Sequence, residues 1–375
     1  MAVCKYILLV LSVLSLNLNG QSDFFLIVNS DLNCFLKIDG KQVAKISAGI
    51  KQQIPITKGT HIVSAITLDG YYKDQHEINI KNQKEYLSIN LLAKIAETKE
   101  NDKLLRRHNM VYVEGGTFIM GDQSGDGDHD EYKHQVLVNS FYIGRFEVTV
   151  EMFRQFIDAT SYETRAEKDG WAYAWNGQRI IQDYGANWST VSSDPKAPVN
   201  CIAWLDAIHY CNWLSQKEGF KPAYIIKDTL VDFVRSANGY RLPTEAEWEF
   251  AAKGGRKSRG YKYAGGNNGL EYGWVKENSD YKLHRVGLKK PNELGIYDMI
   301  GNVSEWCYDY YFKDFYLSDG GVHKNPIGPK DGKGRSQRGG GALFPLRYSR
   351  VSNRQMATEN EKGILEGFRI VRNLQ

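Results

Sequence analysis

Alternation of apolar and polar positions with a period of two runs through the first quarter of the chain. Phe25-Leu26-Ile27-Val28, Phe35-Leu36-Lys37-Ile38, Gln53-Ile54-Pro55-Ile56, His61-Ile62-Val63-Ser64-Ala65, Glu77-Ile78-Asn79-Ile80 and Leu87-Ser88-Ile89 read as short strands. Turn signals at Asp39-Gly40-Lys41, Lys58-Gly59 and Asp69-Gly70-Tyr71-Tyr72 separate them. Strands so evenly spaced predict a small β-sandwich over residues 21–92. Residues 93–108, with Lys94, Glu97, Lys99, Glu100, Asp102, Lys103, Arg106 and Arg107, predict a solvated helical linker. From residue 109 to 375 the pattern becomes irregular, and two helices stand out. One runs from Val150 to Ala159, placing Met152, Phe153 and Phe156 on one face behind a Thr149 cap; the other runs from about Trp204 to Ser215. A shorter third helix starts at Pro243-Thr244, where Thr244 and Glu247 have capping-box spacing, and Gly254-Gly255 ends it. Elsewhere Gly, Asn and Asp recur so often that loops dominate.

The extreme N-terminus follows another logic. Lys5 precedes an apolar run from Tyr6 to Leu16, then Asn17-Leu18-Asn19-Gly20-Gln21, so residues 1–20 are expected to be a secretory signal. The run is too short to span a bilayer, and no later apolar stretch is long enough, so the mature chain is expected to have no transmembrane span. Its expected place is the periplasm, the cell surface or outside the cell. With 375 residues, 42% hydrophobic and 25% charged, the chain has the composition of a globular protein long enough for two domains. A net charge of +4 carries no basic footprint for nucleic acid. The 23 Tyr, 15 Phe and 8 Trp point to an aromatic surface or groove. Beyond the leader, Cys34, Cys201, Cys211 and Cys307 allow three full pairings, but Cys201 lies too far along the chain from Cys211 in its helix. Buried free thiols are favoured.

The larger domain carries an ordered set of motifs. They are Val113-Glu114-Gly115-Gly116-Thr117-Phe118-Ile119-Met120-Gly121, Phe146-Glu147-Val148-Thr149, Pro198-Val199-Asn200 before Ala203-Trp204-Leu205-Asp206-Ala207, Arg241-Leu242-Pro243-Thr244-Glu245-Ala246-Glu247-Trp248-Glu249, Gly301-Asn302-Val303-Ser304-Glu305-Trp306, Arg338-Gly339-Gly340 and Gly367-Phe368-Arg369. The set resembles the formylglycine-generating enzyme (sulfatase-modifying factor) domain, and the resemblance covers nearly all of residues 109–375. It implies an α+β fold, an irregular C-type-lectin-like domain behind the small N-terminal β-sandwich. The sandwich in turn resembles the PEGA module, which implies attachment or spacing rather than chemistry.

The family's activity is copper-dependent oxidation of a sulfatase cysteine by oxygen, with two cysteines after a Gly-Gly-Ser element holding copper(I). Here Phe344 and Ser349 occupy those positions, and no cysteine follows Cys307. The oxygen-pocket positions hold Ser304 and Gly341. A phenyl ring and a hydroxyl do not ligate a soft ion, so copper is not expected and no catalytic residue is assigned. Calcium is expected: the resemblance implies a structural ion held by the side chains of Asp298 and Glu305 and the carbonyls of Gly301 and Val303, hard oxygens from one short turn.

The loop with Asp122, Asp126, Asp128, Asp130 and Glu131 fails EF-hand spacing, because its twelfth position is Lys133, and reads as a solvated acidic loop. The eight histidines show no metal spacing. Arg241, Glu245, Glu249 and Arg369 read as structural ion pairs. Loops around Trp171 to Trp175, Trp188 and Phe344 to Arg354 should border a groove, with Phe344, Arg347, Tyr348, Arg350 and Arg354 as ligand candidates. The sequence therefore predicts an exported, non-catalytic binding or scaffold protein of the cell envelope, its groove taking a protein or glycan partner. The alternative is a formylglycine-generating oxidase, or a related oxidoreductase, acting on a protein cysteine.

Overall fold

The structure is a computed structural model that describes residues 24–68, 73–317 and 321–374, without the side chains of 96, 97, 99 and 100. The expected signal and the turn at 69–72 lie outside the described residues. Two compact units divide at Lys103 and Leu104.

In the first unit, β1 (Phe25–Ser30), β2 (Cys34–Ile38), β3 (Lys41–Ile46), β4 (Gln52–Pro55), β5 (Gly59–Thr67), β6 (Lys73–Ile80) and β7 (Lys84–Ile89) form two sheets, ordered β4-β1-β7 and β3-β2-β5-β6. Alternate residues Leu26, Val28, Leu36, Ile38, Val63 and Ala65 point into one shared core, which is what a period of two dictates for a sheet solvated on its other face. Asp39 and Gly40, with φ of 48° and 81°, make the two-residue turn that joins β2 to β3. β3 escaped the sequence reading because it is a largely exposed edge strand whose residues carry no apolar alternation. The linker is helical: α1 (Leu91–Arg107) starts where Asp31 accepts the backbone N–H groups of Leu91 and Leu92.

The second unit is loop-rich. One four-stranded sheet runs Tyr240–Arg241, Val371–Asn373, Phe141–Gly144 and Met110–Val113; another runs Gln355–Ala357, Arg335–Arg338, Ser304–Tyr310 and Glu366–Gly367. The strand Ser304–Tyr310 is buried on both faces, Trp306 entering one hydrophobic core and Cys307 the other. Four helices pack on this frame. α2 (Val150–Thr160) is capped by Thr149 and buries Val150, Phe153 and Phe156. α3 (Arg165–Asp169) is a helix the periodicity did not show; a turn and a half is too short for an apolar stripe, though Thr164 and Glu167 form its capping box. α4 (Trp204–Lys217) buries Trp204, Ala207, Ile208, Cys211 and Leu214, and α5 (Glu245–Ala252) has the Thr244–Glu247 capping box its spacing announced. All four described cysteines are buried and unpaired.

Candidate functional site

Gly339 and Gly340 turn the chain out of the strand Arg335–Arg338 with φ of 97° and 78°. The loop beyond them winds into a short 3₁₀ turn, Leu346–Ser349. Phe344, half-buried, closes one side of a groove of about 270 Å³ that is also lined by Tyr173, Ile180, Glu361, Gly363, Leu365 and Glu366. Tyr173 is held there by backbone hydrogen bonds, its N–H to the carbonyl of Lys362 (2.9 Å) and its carbonyl from the N–H of Ile364 (2.8 Å). Beside the groove, Trp175 stacks on Tyr281 with ring centroids 4.9 Å apart and planes within 3°. Burial, helped by the charge of Glu361, pushes the Glu366 carboxyl up to about 8, so Glu366 is mostly protonated at neutral pH and can donate a hydrogen bond.

The positions that should carry copper cysteines sit in this region. Ser349 is buried with no partner for its hydroxyl, beneath Gly340, where a Cβ would come within 2.2 Å of Ser349 Oγ. Ser304 donates its hydroxyl to the carbonyl of Gly340, and Gly341 lies against the side chain of Leu365. The residues present do not fit copper(I): no sulfur lines the groove, and burial holds the thiols of Cys201 and Cys307 well above the usual range.

Several expected groove residues prove to be structural. Arg350 is buried against Glu131, with Nη1 at 2.7 Å and Nη2 at 2.9 Å from its two oxygens, and also reaches Asp128 at 3.2 Å. Arg354 is buried in a bidentate pair with Glu245 (2.7 and 2.9 Å). Neither guanidinium is available to a ligand. Trp188 is buried too, its indole N–H donated to Glu167. Arg347 is exposed, and with Tyr348 it forms a pair of its own outside the groove lining. The acidic loop corrects the sequence reading in the same way. Asp122, Asp130 and Glu131 are buried, Asp122 being held ionised near pKa 2 by hydrogen bonds from Ser124 and Gly125 that outweigh its burial. This loop is not a solvated appendage; Glu131 is the counter-charge for Arg350, and the carbonyl of Asp130 accepts from Arg354.

The Gly-Asn turn is the frame behind the groove. Asp298, Gly301 and Asn302 all have positive φ (56°, 72° and 55°), and at Gly301 a Cβ would overlap the carbonyl of Trp274 at 1.9 Å. Asn302 donates to Glu147 (2.9 Å) and the carbonyl of His284 (3.1 Å), while its own carbonyl accepts the N–H of Ala342 (2.9 Å). Glu305 receives Arg369 on both oxygens (2.6 Å each) and the indole N–H of Trp248 (2.7 Å). Asp298 accepts the Gly287 N–H at 2.6 Å through one oxygen, and the other is buried without a partner.

Three buried carboxylates, Glu147, Asp298 and Glu305, thus share one guanidinium, and burial pushes Asp298 up to about 6 and Glu147 well above the usual carboxylate range. A hard cation would answer this excess of negative charge. The orphaned Asp298 oxygen and the remaining lone pair on Glu305 Oε1 fit one. Among the described residues no group of three or more His, Cys, Asp or Glu is arranged to hold a metal, so such an ion would depend on two carboxylates and on carbonyls.

Glu245, Glu249 and Arg369 are legible in the sequence as ion-pair residues, whereas the partners that neutralise the first two, Arg354 and Arg338, are not. A loop-rich α+β domain that ties a Gly-Asn turn to a Gly-Gly loop and leaves a groove beside them defines a formylglycine-generating-enzyme-like fold. The chain belongs to the sulfatase-modifying factor family: the model of the sulfatase-modifying factor enzyme 1-like domain matches residues 94–374. It is 31% identical over 320 residues to the chaperone protein LppX of Paenibacillus barcinonensis, covering 77% of this chain and 98% of that protein. With the formylglycine-generating enzyme of Thermomonospora curvata it shares 28% identity over 304 residues, covering 69% and 92%. Among solved structures, variable protein 1 of Treponema denticola superimposes with a TM-score of 0.57 at 27% identity, covering 71% of this chain and 95% of that one.

Proposed function

We propose that this protein is a non-catalytic binding or scaffold protein of the cell envelope, exported by its first 20 residues, and that its groove takes an extended protein or glycan segment. The observation that carries the reading is the content of the C-terminal loop. Where the family's copper cysteines stand, the chain has Phe344 and Ser349, and the space becomes an aromatic wall facing Tyr173 and Leu365. Partner chemistry follows from that lining: ring faces for stacking, with hydrogen-bonding groups at Glu361 and Glu366. The Paenibacillus relative is named as a chaperone, which is also a binding function. The N-terminal sandwich, PEGA-like by sequence, would act as a spacer. A structural calcium ion at Asp298, Glu305 and the carbonyls of Gly301 and Val303 would brace the turn behind the groove.

Copper(I) titration, with oxygen uptake measured against a Cys-x-Pro-x-Arg peptide, tests the reading. Neither copper binding nor turnover is expected. Stoichiometric copper with turnover would establish the oxidase that the Thermomonospora relative's name suggests.

A further inference from the structure

A second and larger cleft, about 750 Å³, lies in the same unit and shares no lining residue with the groove. Its floor is electrically neutral. Arg241 donates to both oxygens of Glu247 (2.6 and 2.7 Å) and to Asn373, so this guanidinium is fully engaged. The rim is not neutral. Lys221, Arg235 and Lys324 are all exposed, and none makes an ion pair to a described residue; Arg235 donates only to the carbonyl of Asn325. Among the described lining residues Glu247 is the only carboxylate and is already paired, so Lys221, Arg235 and Lys324 meet no carboxylate among them. A concave surface with one sign of charge concentrates field and attracts an anion.

The walls say what kind of anion. Asn238 and Asn325 each use Oδ1 to accept a backbone N–H, from Lys221 (2.9 Å) and Asn139 (2.7 Å). Each therefore presents an amide Nδ2 that makes no hydrogen bond to a described residue. Ser236 adds a hydroxyl, and half-buried Phe233 adds an aromatic surface. Cations, amides, a hydroxyl and one ring together suit a ligand that is anionic and rich in hydroxyls. We infer that this cleft is a binding site for an acidic oligosaccharide, a sugar chain bearing carboxylate or sulfate groups, separate from the groove.

Fluorescence anisotropy on the full chain, with labelled oligogalacturonate and a dextran sulfate fragment, tests this. A neutral maltooligosaccharide and polyglutamate of matched charge serve as comparisons. At least one acidic sugar is expected to bind saturably, and the carboxylated and sulfated arms show which anion the cleft prefers. Lys221→Glu with Lys324→Glu should weaken that binding by about tenfold or more without changing the melting temperature, because both side chains are exposed and unpaired. Phe344→Ala, which alters the groove, should leave it intact, so failure here is distinguishable from failure of the groove reading. Equal binding of the neutral sugar, equal or tighter binding of polyglutamate, insensitivity to the charge reversals, or no binding of either acidic sugar would each overturn the inference.

Discussion

Arg354 offers the sharpest test of how the C-terminal loop works. By sequence it is a groove arginine; in the structure it is buried, with Nε and Nη2 on the two oxygens of Glu245 and Nη1 on the carbonyl of Asp130 at 3.1 Å. Arg354→Leu would leave Glu245 with only Ser336 at 3.1 Å and a longer approach from Arg338 at 3.7 Å. Breaking a buried pair by removing one member costs about 3–5 kcal/mol. At roughly 2 °C per kcal/mol for a unit of this size, the melting temperature should fall by about 6–10 °C. Arg347→Leu, at an exposed position in the same loop, should change it by no more than about 1 °C. The pH dependence gives a second readout. Burial alone raises the Glu245 carboxyl; the charges of Arg354 and Arg338 outweigh burial and hold it below the usual range. A lowered folded-state pKa contributes stability above the unfolded pKa that is lost as pH falls. Without Arg354 burial dominates, so the variant regains stability on acidification, while the wild type loses this contribution only below about pH 4.5. Thermal scans from pH 7.5 to 4.5 should show the gap narrowing. A gap below about 3 °C at pH 7.5, or one that widens toward acid, would refute the assignment.

Calcium should raise the melting temperature at pH 7.5, and Asp298→Ala should abolish that rise; a calcium response unchanged in the variant would discard the site at the Gly-Asn turn. Glu366 has a folded-state pKa raised to about 8, so its burial costs stability as pH climbs from about 4.5 to 8, and Glu366→Gln should stabilise at pH 8.5 but not at pH 5. Equal effects at both values would show that Glu366 is ordinarily ionised. Cys34, Cys201, Cys211 and Cys307 should react with a thiol reagent only after denaturation, and rapid labelling of the native protein would contradict their burial.

Much of the fold was legible because it rests on local rules. Thr149, and Thr244 with Glu247, mark helix starts by hydrogen-bonding chemistry that needs no tertiary partner, and the alternation in β1 and β2 records which face is buried. The site was only partly legible. The exchange of cysteines for Phe344 and Ser349 can be read directly, since residue type alone decides whether a soft metal has a ligand. What Arg350 and Arg354 do cannot be read that way. Their partners Glu131 and Glu245 lie 219 and 109 residues away, and no periodicity connects them. An arginine beside aromatic residues looks the same in a sequence whether it faces a ligand or a buried glutamate. The acidic loop was misjudged for the same reason: its charge was counted without the cations that fold onto it.

The strand Val371–Asn373 lies inside its sheet, hydrogen-bonded to Tyr240–Arg241 on one side and Phe141–Gly144 on the other. Two residues before it, Arg369 completes the bond to Glu305. The keystone of this unit is therefore made only after the two strands it joins. Until it arrives two strand edges stand open, so a shortened product would be a folding failure rather than a smaller working protein.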